Sequence, residues 1–241
     1  MSSSGYLLIA DISGYTEFVK LHNMRKTPVI GNALANNFEY HAETIIADLL
    51  EVVIEAIEPT LSLNKLEGDA AFFFSEDKKD KLQSDEIIQA MEKANEAFKA
   101  KASELVFVQA CGCEPCLQSK NLKLKIVAHK GNFTIKKIRN FEELAGEDVI
   151  LTHRMLKNSL LSNEYWLVTN NFFENLSENN KKMFVKITED LDDFEKISLN
   201  YREFSTPDPI NEKFQNRSRI QNWLTQAKYF MTSKKRTKQN N

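Results

Sequence analysis

Five consecutive apolar residues, Tyr6-Leu-Leu-Ile-Ala10, run without a break into Asp11-Ile-Ser-Gly-Tyr-Thr16. An alternating strand covers one sheet face, whereas a continuous apolar run demands cover on both. The segment therefore predicts a central strand of a layered fold. It ends in a turn-forming, hydroxyl-rich stretch that opens a helix through Phe18–Lys20, interrupted by Pro28 and Gly31. The rest of the chain supplies the layers. Between Asn36 and Glu58 the apolar residues Phe38, Ala42, Ile45, Leu49, Val53 and Ile57 recur at helical spacing, and Pro59 stops them. Leu61–Leu66 alternates, Glu67-Gly-Asp69 turns and Ala70–Phe74 returns, which reads as a β-hairpin. Asp85–Leu105 is a second amphipathic helix. Leu122–His129 reads as a half-buried strand, Lys130-Gly-Asn132 as its turn and Phe133–Ile138 as its partner. Gly146–Leu161 then predicts a helix, Tyr165–Thr169 a strand, and Phe184–Phe204 one or two edge strands. Strands mixed with helices and antiparallel hairpins predict an α+β sandwich with helices on one sheet face. The order also fits a ferredoxin-like βαββαβ core with a C-terminal strand extension.

Composition removes several function classes. Lys+Arg total 32 against Asp+Glu 34, so there is no basic field to hold nucleic acid. The most apolar helical stretch, Glu43–Glu58, carries Asp48, Glu51 and Glu55, so no membrane insertion is expected. The N-terminal Met1-Ser-Ser-Ser-Gly-Tyr has neither a basic region nor a cleavage site of the kind a secretory signal needs. Three cysteines, Cys111, Cys113 and Cys116, are an odd number in one tight cluster, which argues against a disulfide framework and for a reducing cytoplasm.

Two acidic residues stand at strand ends, Asp11 after the apolar run and Asp69 at the return of the hairpin. If the strands are neighbours, both carboxylates meet at one end. Paired carboxylates beside hydroxyls and backbone N–H groups suit Mg²⁺ (or Mn²⁺) carrying a phosphate. A strand turning into a helix N-terminus over Ile12, Ser13, Gly14, Tyr15 and Thr16 suits the phosphate itself. The plainer reading makes both aspartates turn or cap residues.

Three motifs bear on that choice. Asp11-Ile-Ser-Gly-Tyr-Thr16 resembles the Asp-Ile-x-Gly-Phe-Thr motif of class III nucleotidyl cyclases. Lys65-Leu-Glu-Gly-Asp69 is similar to that family's Lys-x-x-Gly-Asp hairpin, and Gly146–Arg154 to its Gly-x-x-Val-Asn-x-Ala-x-Arg helix. The motifs fall in the family's order between Tyr6 and Leu161. More closely, the chain resembles a group of uncharacterised bacterial proteins on this scaffold that carry a Cys-x-Cys-x-x-Cys loop. The resemblance implies a cyclase-homology domain over 1–204, with its motif-bearing core at 6–161. Residues 205–241 remain as a C-terminal segment with a short amphipathic helix, Ile220–Met231, and a disordered basic tip. It implies that Asp11, the Ile12 backbone and Asp69 hold Mg²⁺ or Mn²⁺, and that Ile12–Thr16 hold a triphosphate. Lys65 and Glu143 would read the purine of a nucleoside triphosphate, in the first place ATP. Arg154 would stabilise charge on the transferring phosphate. It further implies a head-to-tail homodimer with interfacial sites. The product would be a 3′,5′-cyclic nucleotide; the alternative is a degenerate module that binds nucleotide or a protein partner without turnover.

One position departs from the family. Its transition-state asparagine falls on Ile150, which cannot donate a hydrogen bond. A helix-core role for Ile150 would leave that surface packed. Cys111, Cys113 and Cys116 suit structural Zn²⁺ but lack a fourth ligand, for which His129, His153 or a second subunit's thiol are candidates. A reduced loop without metal is the other reading. His153 beside Arg154 reads as a structural residue first and a phosphate donor or general acid second. Phe72–Phe74 and Trp166 read as core.

Overall fold

The computed structural model describes residues 2–18, 32–80, 82–105, 121–192 and 194–204, with 32–42 described as backbone. The apolar opening run lies inside β1 (Ser2–Ser13), whose residues from Tyr6 to Ala10 are all buried. Residues 15–18 are helical, with the Phe18 amide donating to the Gly14 carbonyl at 3.0 Å. The chain continues through α1 (Asn32–Ile57), β2 (Ser62–Glu67), β3 (Ala70–Glu76), α2 (Gln83–Leu105), β4 (Lys123–Ile138) and β5 (Phe141–Ala145). Then follow α3 (Glu147–Arg154), β6 (Tyr165–Thr169), α4 (Asn170–Phe173), α5 (Glu178–Lys181), β7 (Val185–Glu189) and β8 (Ile197–Glu203).

The sheet order is β2-β3-β1-β4-β6-β8-β7, with β5 paired to β4. Its first four strands are antiparallel neighbours in the order of a βαββαβ core, and β6 joins β4 in parallel. The expected fold class stands: a mixed α+β sheet of class III cyclase type with a C-terminal strand extension.

Two clusters of buried side chains sit on opposite faces. Tyr6, Leu8, Ala10 and Ile12 point to the face covered by α1 and α2. Leu7 and Ile9 point to the other, with Phe72, Val127, Val149 and Met155. Period-two alternation produces this split, and it explains why β1 cannot itself alternate in hydrophobicity. Each fully buried Leu, Ile or Phe contributes roughly 1.5–3 kcal/mol, so β1 is the strand the fold can least spare. Phe72, Phe73 and Trp166 are buried as expected.

Three expectations change. Helices do not lie on one face alone, because α3 packs on the face opposite α1 and α2. Lys130-Gly-Asn132 is not a turn: β4 runs straight through it, and Phe133–Ile138 pairs instead with β5. Gly131 stands opposite Gly5 of β1. A Cβ on Gly5 would collide with the Ser75 carbonyl, and one on Gly131 with His129 and Asp148. These glycines mark close approach rather than reversal. The reversal comes at Arg139, with φ 56°. The helix expected over Gly146–Leu161 ends at Arg154. Asn158 stops it, donating to the Met155 carbonyl at 2.7 Å and accepting from the Leu160 amide at 3.0 Å. Phe184–Phe204 supplies one edge strand, within what was expected: β7 ends the sheet opposite β2, and β8 lies between β6 and β7.

One irregularity sets side-chain direction near the hairpin. The β2–β3 register shifts between Leu63 and Lys65. Beyond the shift Lys65 stands opposite Phe72, on the α3 face, and Leu66 opposite Ala71, on the α1 face. Asn64, at the shift, donates to the Glu142 carbonyl of β5 at 3.2 Å.

Candidate functional site

Cross-strand register assembles the site. Glu67 of β2 stands opposite Ala70 of β3, Ala70 opposite Asp11 of β1, and Asp11 opposite Lys125 of β4. Directly opposed residues share a face, so three charged side chains and one methyl line up across four strands on the α3 face. Asp69 joins the row at its turn. Its carbonyl accepts from the Ile12 amide at 3.1 Å, which ties the hairpin turn to the end of β1.

The acidic half consists of Asp11 and Asp69. Burial holds the Asp69 carboxyl above its usual range, and the neighbouring Asp11 charge adds to the effect; its backbone hydrogen bond and Lys125 work the other way. Lys125 Nζ lies 2.9 Å from Asp11 Oδ2. Ser13 shares the face of Asp11, two residues on. Its hydroxyl is buried without a hydrogen-bond partner among the described residues. Two hard carboxylates, one of them raised by burial and then by its neighbour's charge, beside an orphaned hydroxyl, are a donor set that fits Mg²⁺ or Mn²⁺ with a phosphate. Among the described residues no group of three or more His, Cys, Asp or Glu is arranged for a metal, and Mg²⁺ needs no more than one or two carboxylates. The Ile12 amide is already engaged by Asp69, so the N–H groups open to an anion belong to the residues after it.

The second half is built from β2, β5 and α3. Lys65 Nζ donates to Glu143 Oε2 at 2.9 Å, joining two residues 78 apart in sequence. It also lies 3.2 Å from Glu67 Oε1. The Glu143 hydrogen bond, ahead of the opposing effect of burial, keeps Lys65 charged beyond its ordinary range. These groups are about one-third exposed, so the pair adds at most about 1 kcal/mol of stability. Glu67 Oε2 lies 3.4 Å from His153 Nδ1, and the His153 ring packs 5.0 Å from Phe72. Burial pulls the His153 pKa down, Glu67 opposes this, and Lys65 reinforces it. His153 is thus tied into the lysine half by packing and charge. Arg154 follows as the last residue of α3, half-buried.

Ile150 departs from expectation. It is 53% exposed, so it is not a core position, and the surface around the usual asparagine is not packed shut within the chain. Its helix is seated by Asp148, whose Oδ2 accepts from the Asn132 amide at 2.6 Å. Asp148 Oδ1 lies 3.0 Å from His129 Nε2, off the straight hydrogen-bond direction. His129 is buried, which pulls its pKa down, and its Nδ1 meets Thr169 Oγ1 at 2.8 Å.

Sequence reading missed Lys125 and Glu67. Lys125 had one available signal: the alternation of Leu122–His129 puts it on the polar side of its strand. Its pairing with Asp11 depends on register between segments more than a hundred residues apart. Cys111, Cys113 and Cys116, and Ile220–Met231, lie outside the described residues.

Known proteins resemble this arrangement at three levels. The family described as "Protein of unknown function (DUF2652)" matches residues 46–165. Uncharacterized protein Rv2561/Rv2562 of Mycobacterium tuberculosis is 34% identical over 163 residues, 68% of this chain and 75% of that protein. Among solved structures, the adenylyl cyclase CyaB from Pseudomonas aeruginosa is 13% identical with a TM-score of 0.61, covering 86% of this chain and 97% of that one. The guanylate cyclase domain of RhGC from Catenaria anguillulae, in complex with GTP, is 12% identical with a TM-score of 0.55, covering 83% and 97%. A class III adenylyl cyclase-like ATP-binding protein from Pseudomonas aeruginosa is 18% identical with a TM-score of 0.55, covering 76% of this chain and 36% of that one. At these identities the structures establish a shared fold. No helix among the described residues is long and apolar enough to cross a membrane.

Proposed function

The chain belongs to one family with the mycobacterial relative, and from that premise, with the cyclase fold beside it, we propose that it acts on a purine nucleoside triphosphate with Mg²⁺ or Mn²⁺. The reading rests on one observation above others: Lys65, which donates to Glu143 at 2.9 Å, stands on the same sheet face as Asp11, at whose strand end the Asp69 turn is tied. A base reader and a metal–phosphate holder are what such a substrate needs.

Asp11, the Ile12 backbone and Asp69 would hold the metal, which when bound would neutralise phosphate charge and favour displacement at the α-phosphate. The Ser13 hydroxyl and the amides through Thr16 would hold the triphosphate oxygens as charge-assisted acceptors. Lys125 would turn from Asp11 toward the phosphates once another cation covers the carboxylate. Lys65 would donate to a purine ring nitrogen while Glu143 accepts from an exocyclic amine, a pattern that favours adenine. Arg154 would meet the charge that develops as the ribose 3′-oxygen bonds to the α-phosphorus and pyrophosphate leaves. The two halves would meet across a homodimer of head-to-tail copies, and the chain would work in the cytoplasm.

A second reading, binding without turnover, is favoured by Ile150. A preorganised donor is commonly worth about 10²–10³ in rate, and isoleucine supplies none. Calorimetric titration of the full chain with a non-cyclisable ATP analogue, with Mg²⁺ and then with chelator, tests what the readings share. Metal-dependent binding near one site per chain is expected. No binding at millimolar analogue, from folded protein, overturns both nucleotide readings. With binding established, a cyclic-nucleotide product assay separates them.

A further inference from the structure

A groove of about 600 Å³ lies between α1 and the β2–β3 turn. Leu66, 56% exposed, lines it from β2, and the half-buried Ile54 lines it from α1 with Ile46 and Leu50. Glu43, Glu51, Glu55 and Glu58 line it too, all exposed, and no Lys or Arg is among the described residues that do. α1 itself carries five acidic residues and neither Lys nor Arg. Like charges at i, i+4, such as Glu51 and Glu55, destabilise a helix, and an adjacent cation relieves them. An exposed leucine beside four carboxylates calls for an occupant that is apolar on one side and cationic at its edges.

The C-terminal segment has that character. Residues 213–241 contain eight Lys and Arg and no Asp or Glu. Within them Ile220, Trp223, Leu224, Ala227 and Met231 recur at helical spacing, which places them on one face. A helix over 220–231 is about 18 Å long, and Glu43 to Glu58 extends over about 22 Å at the same rise per residue. Register brings the origin of the segment to the right end of the sheet. Asp11 stands opposite Lys125, Ile126 beside Trp166, and Tyr165 opposite Glu203. So β8 ends level with Asp11 and the Gly68–Asp69 turn. Phe204 packs on the same core cluster as Ile54, so the chain leaves β8 on the α1 face. From β8 to β2 is five strand spacings, about 24 Å. Residues 205–219 can extend over about 50 Å.

We propose that residues 220–231 dock in the groove of their own chain, apolar face inward, with Arg217, Arg219 and Lys228 set against its glutamates. An amphipathic helix in an apolar groove is a recurrent mode of recognition, anchored by residues at this spacing. The linker over 205–219 keeps the segment at an effective concentration on the order of millimolar. A contact too weak to hold two chains together therefore holds within one. Salt screens such charge pairs, so rising ionic strength releases the segment. The groove also reaches Tyr15 and Gly68, the neighbours of the acidic half, so the docked segment lies beside that half of the candidate site. The contact does not rest on the nucleotide reading above.

Trp223 reads the contact in the full chain, because the other tryptophan, Trp166, is buried in the core. Acrylamide quenching is measured with and without Trp223→Phe, and the difference belongs to Trp223. In wild type it should be quenched about threefold less than in the urea-unfolded chain, since a docked indole is shielded from water. One variant reverses the groove (Glu51→Lys and Glu55→Lys) and another the segment (Arg219→Glu and Lys228→Glu). Each alone should raise the quenching about threefold, and all four together should restore the wild-type value, because the contacts are again of opposite charge. Circular dichroism checks folding. Hydrogen exchange over 43–58 should speed up in the segment variant, which alters nothing there. Neither readout should change between about 1 and 100 µM protein, since the contact lies within one chain. A Trp223 quenched as freely as in urea overturns the proposal, as does quenching that neither reversal moves or that the four-site variant fails to restore. Unchanged exchange over 43–58 overturns it in favour of another occupant, such as residues 19–31. Protection that rises with concentration overturns it in favour of a second copy. All are read without ligand, so calorimetry judges the nucleotide reading separately.

Discussion

The two halves of the candidate site are built on opposite electrostatic plans. In the acidic half burial and the charge of Asp11 together hold Asp69 above its usual range. A backbone hydrogen bond at Asp69 and Lys125, at 2.9 Å from Asp11, offset this in part. In the lysine half every charge has a partner: Lys65 has Glu143 and Glu67, and Glu67 also has His153. One half is held in tension by sheet register, and the other is at rest. A tense pair gains from an added cation; a rested pair gains from a neutral group that exchanges hydrogen bonds with it. The difference supports the proposal that metal and phosphate go to one half and a purine edge to the other.

Four substitutions sharpen or break this contrast. The largest effect is expected from Asp11→Ala or Asp69→Ala. Each should remove metal-dependent binding of the ATP analogue, a weakening of more than ~100-fold, since one carboxylate is half of the hard-ligand set. Calorimetry with and without Mg²⁺ reads it, and normal binding by both variants would dissolve the acidic half as a metal site. Ile150→Asn comes next. If only the missing donor limits turnover, cyclic-nucleotide formation should rise by about 10²–10³ with little change in analogue affinity. An unchanged rate would place the obstacle elsewhere on α3.

The smallest effect is on stability and tests the tension directly. An acid whose pKa is raised on folding favours the native state while protonated. That contribution is full below the unfolded value near 3.8 and is lost as pH rises through the higher folded value. At pH 7 the ionised Asp69 therefore costs stability. Asp69→Asn should raise the midpoint of thermal unfolding by about 2–4 °C there, on the scale of 1 kcal/mol. The gain should disappear toward pH 3. A loss at pH 7 would mean that Asp69 is stabilised, not strained.

Much of this was legible because local signals agreed with the fold. The apolar run, the Gly-Asp hairpin and the helical spacing each named their element, and Lys65 and Glu143 were expected as partners before any distance was available. What stayed hidden depends on contacts distant in sequence. Gly131 looked like a turn because its reason, the His129 and Asp148 side chains packed against it, comes from how α3 seats on β4. The end of α3 depends on a single side chain, Asn158, taking over backbone bonds. Ile150 invited a core reading because an isoleucine on a helix is usually buried, and only the placement of α3 against β4 shows which side faces out. Lys125 gave no motif, since only register pairs it with Asp11.

The register shift at Asn64 has a genetic consequence. Beyond it Lys65 faces the α3 side of the sheet and Leu66 the α1 side. In-frame loss of the Asn64 codon would leave Leu63 opposite Phe73 and Lys65 opposite Phe72, so the side chains of the hairpin would keep their faces. What would go is the Asn64 bond to the Glu142 carbonyl, which ties β2 to β5. A lineage on this scaffold can therefore shed one codon here and keep Lys65 on its face, with β5 more loosely seated.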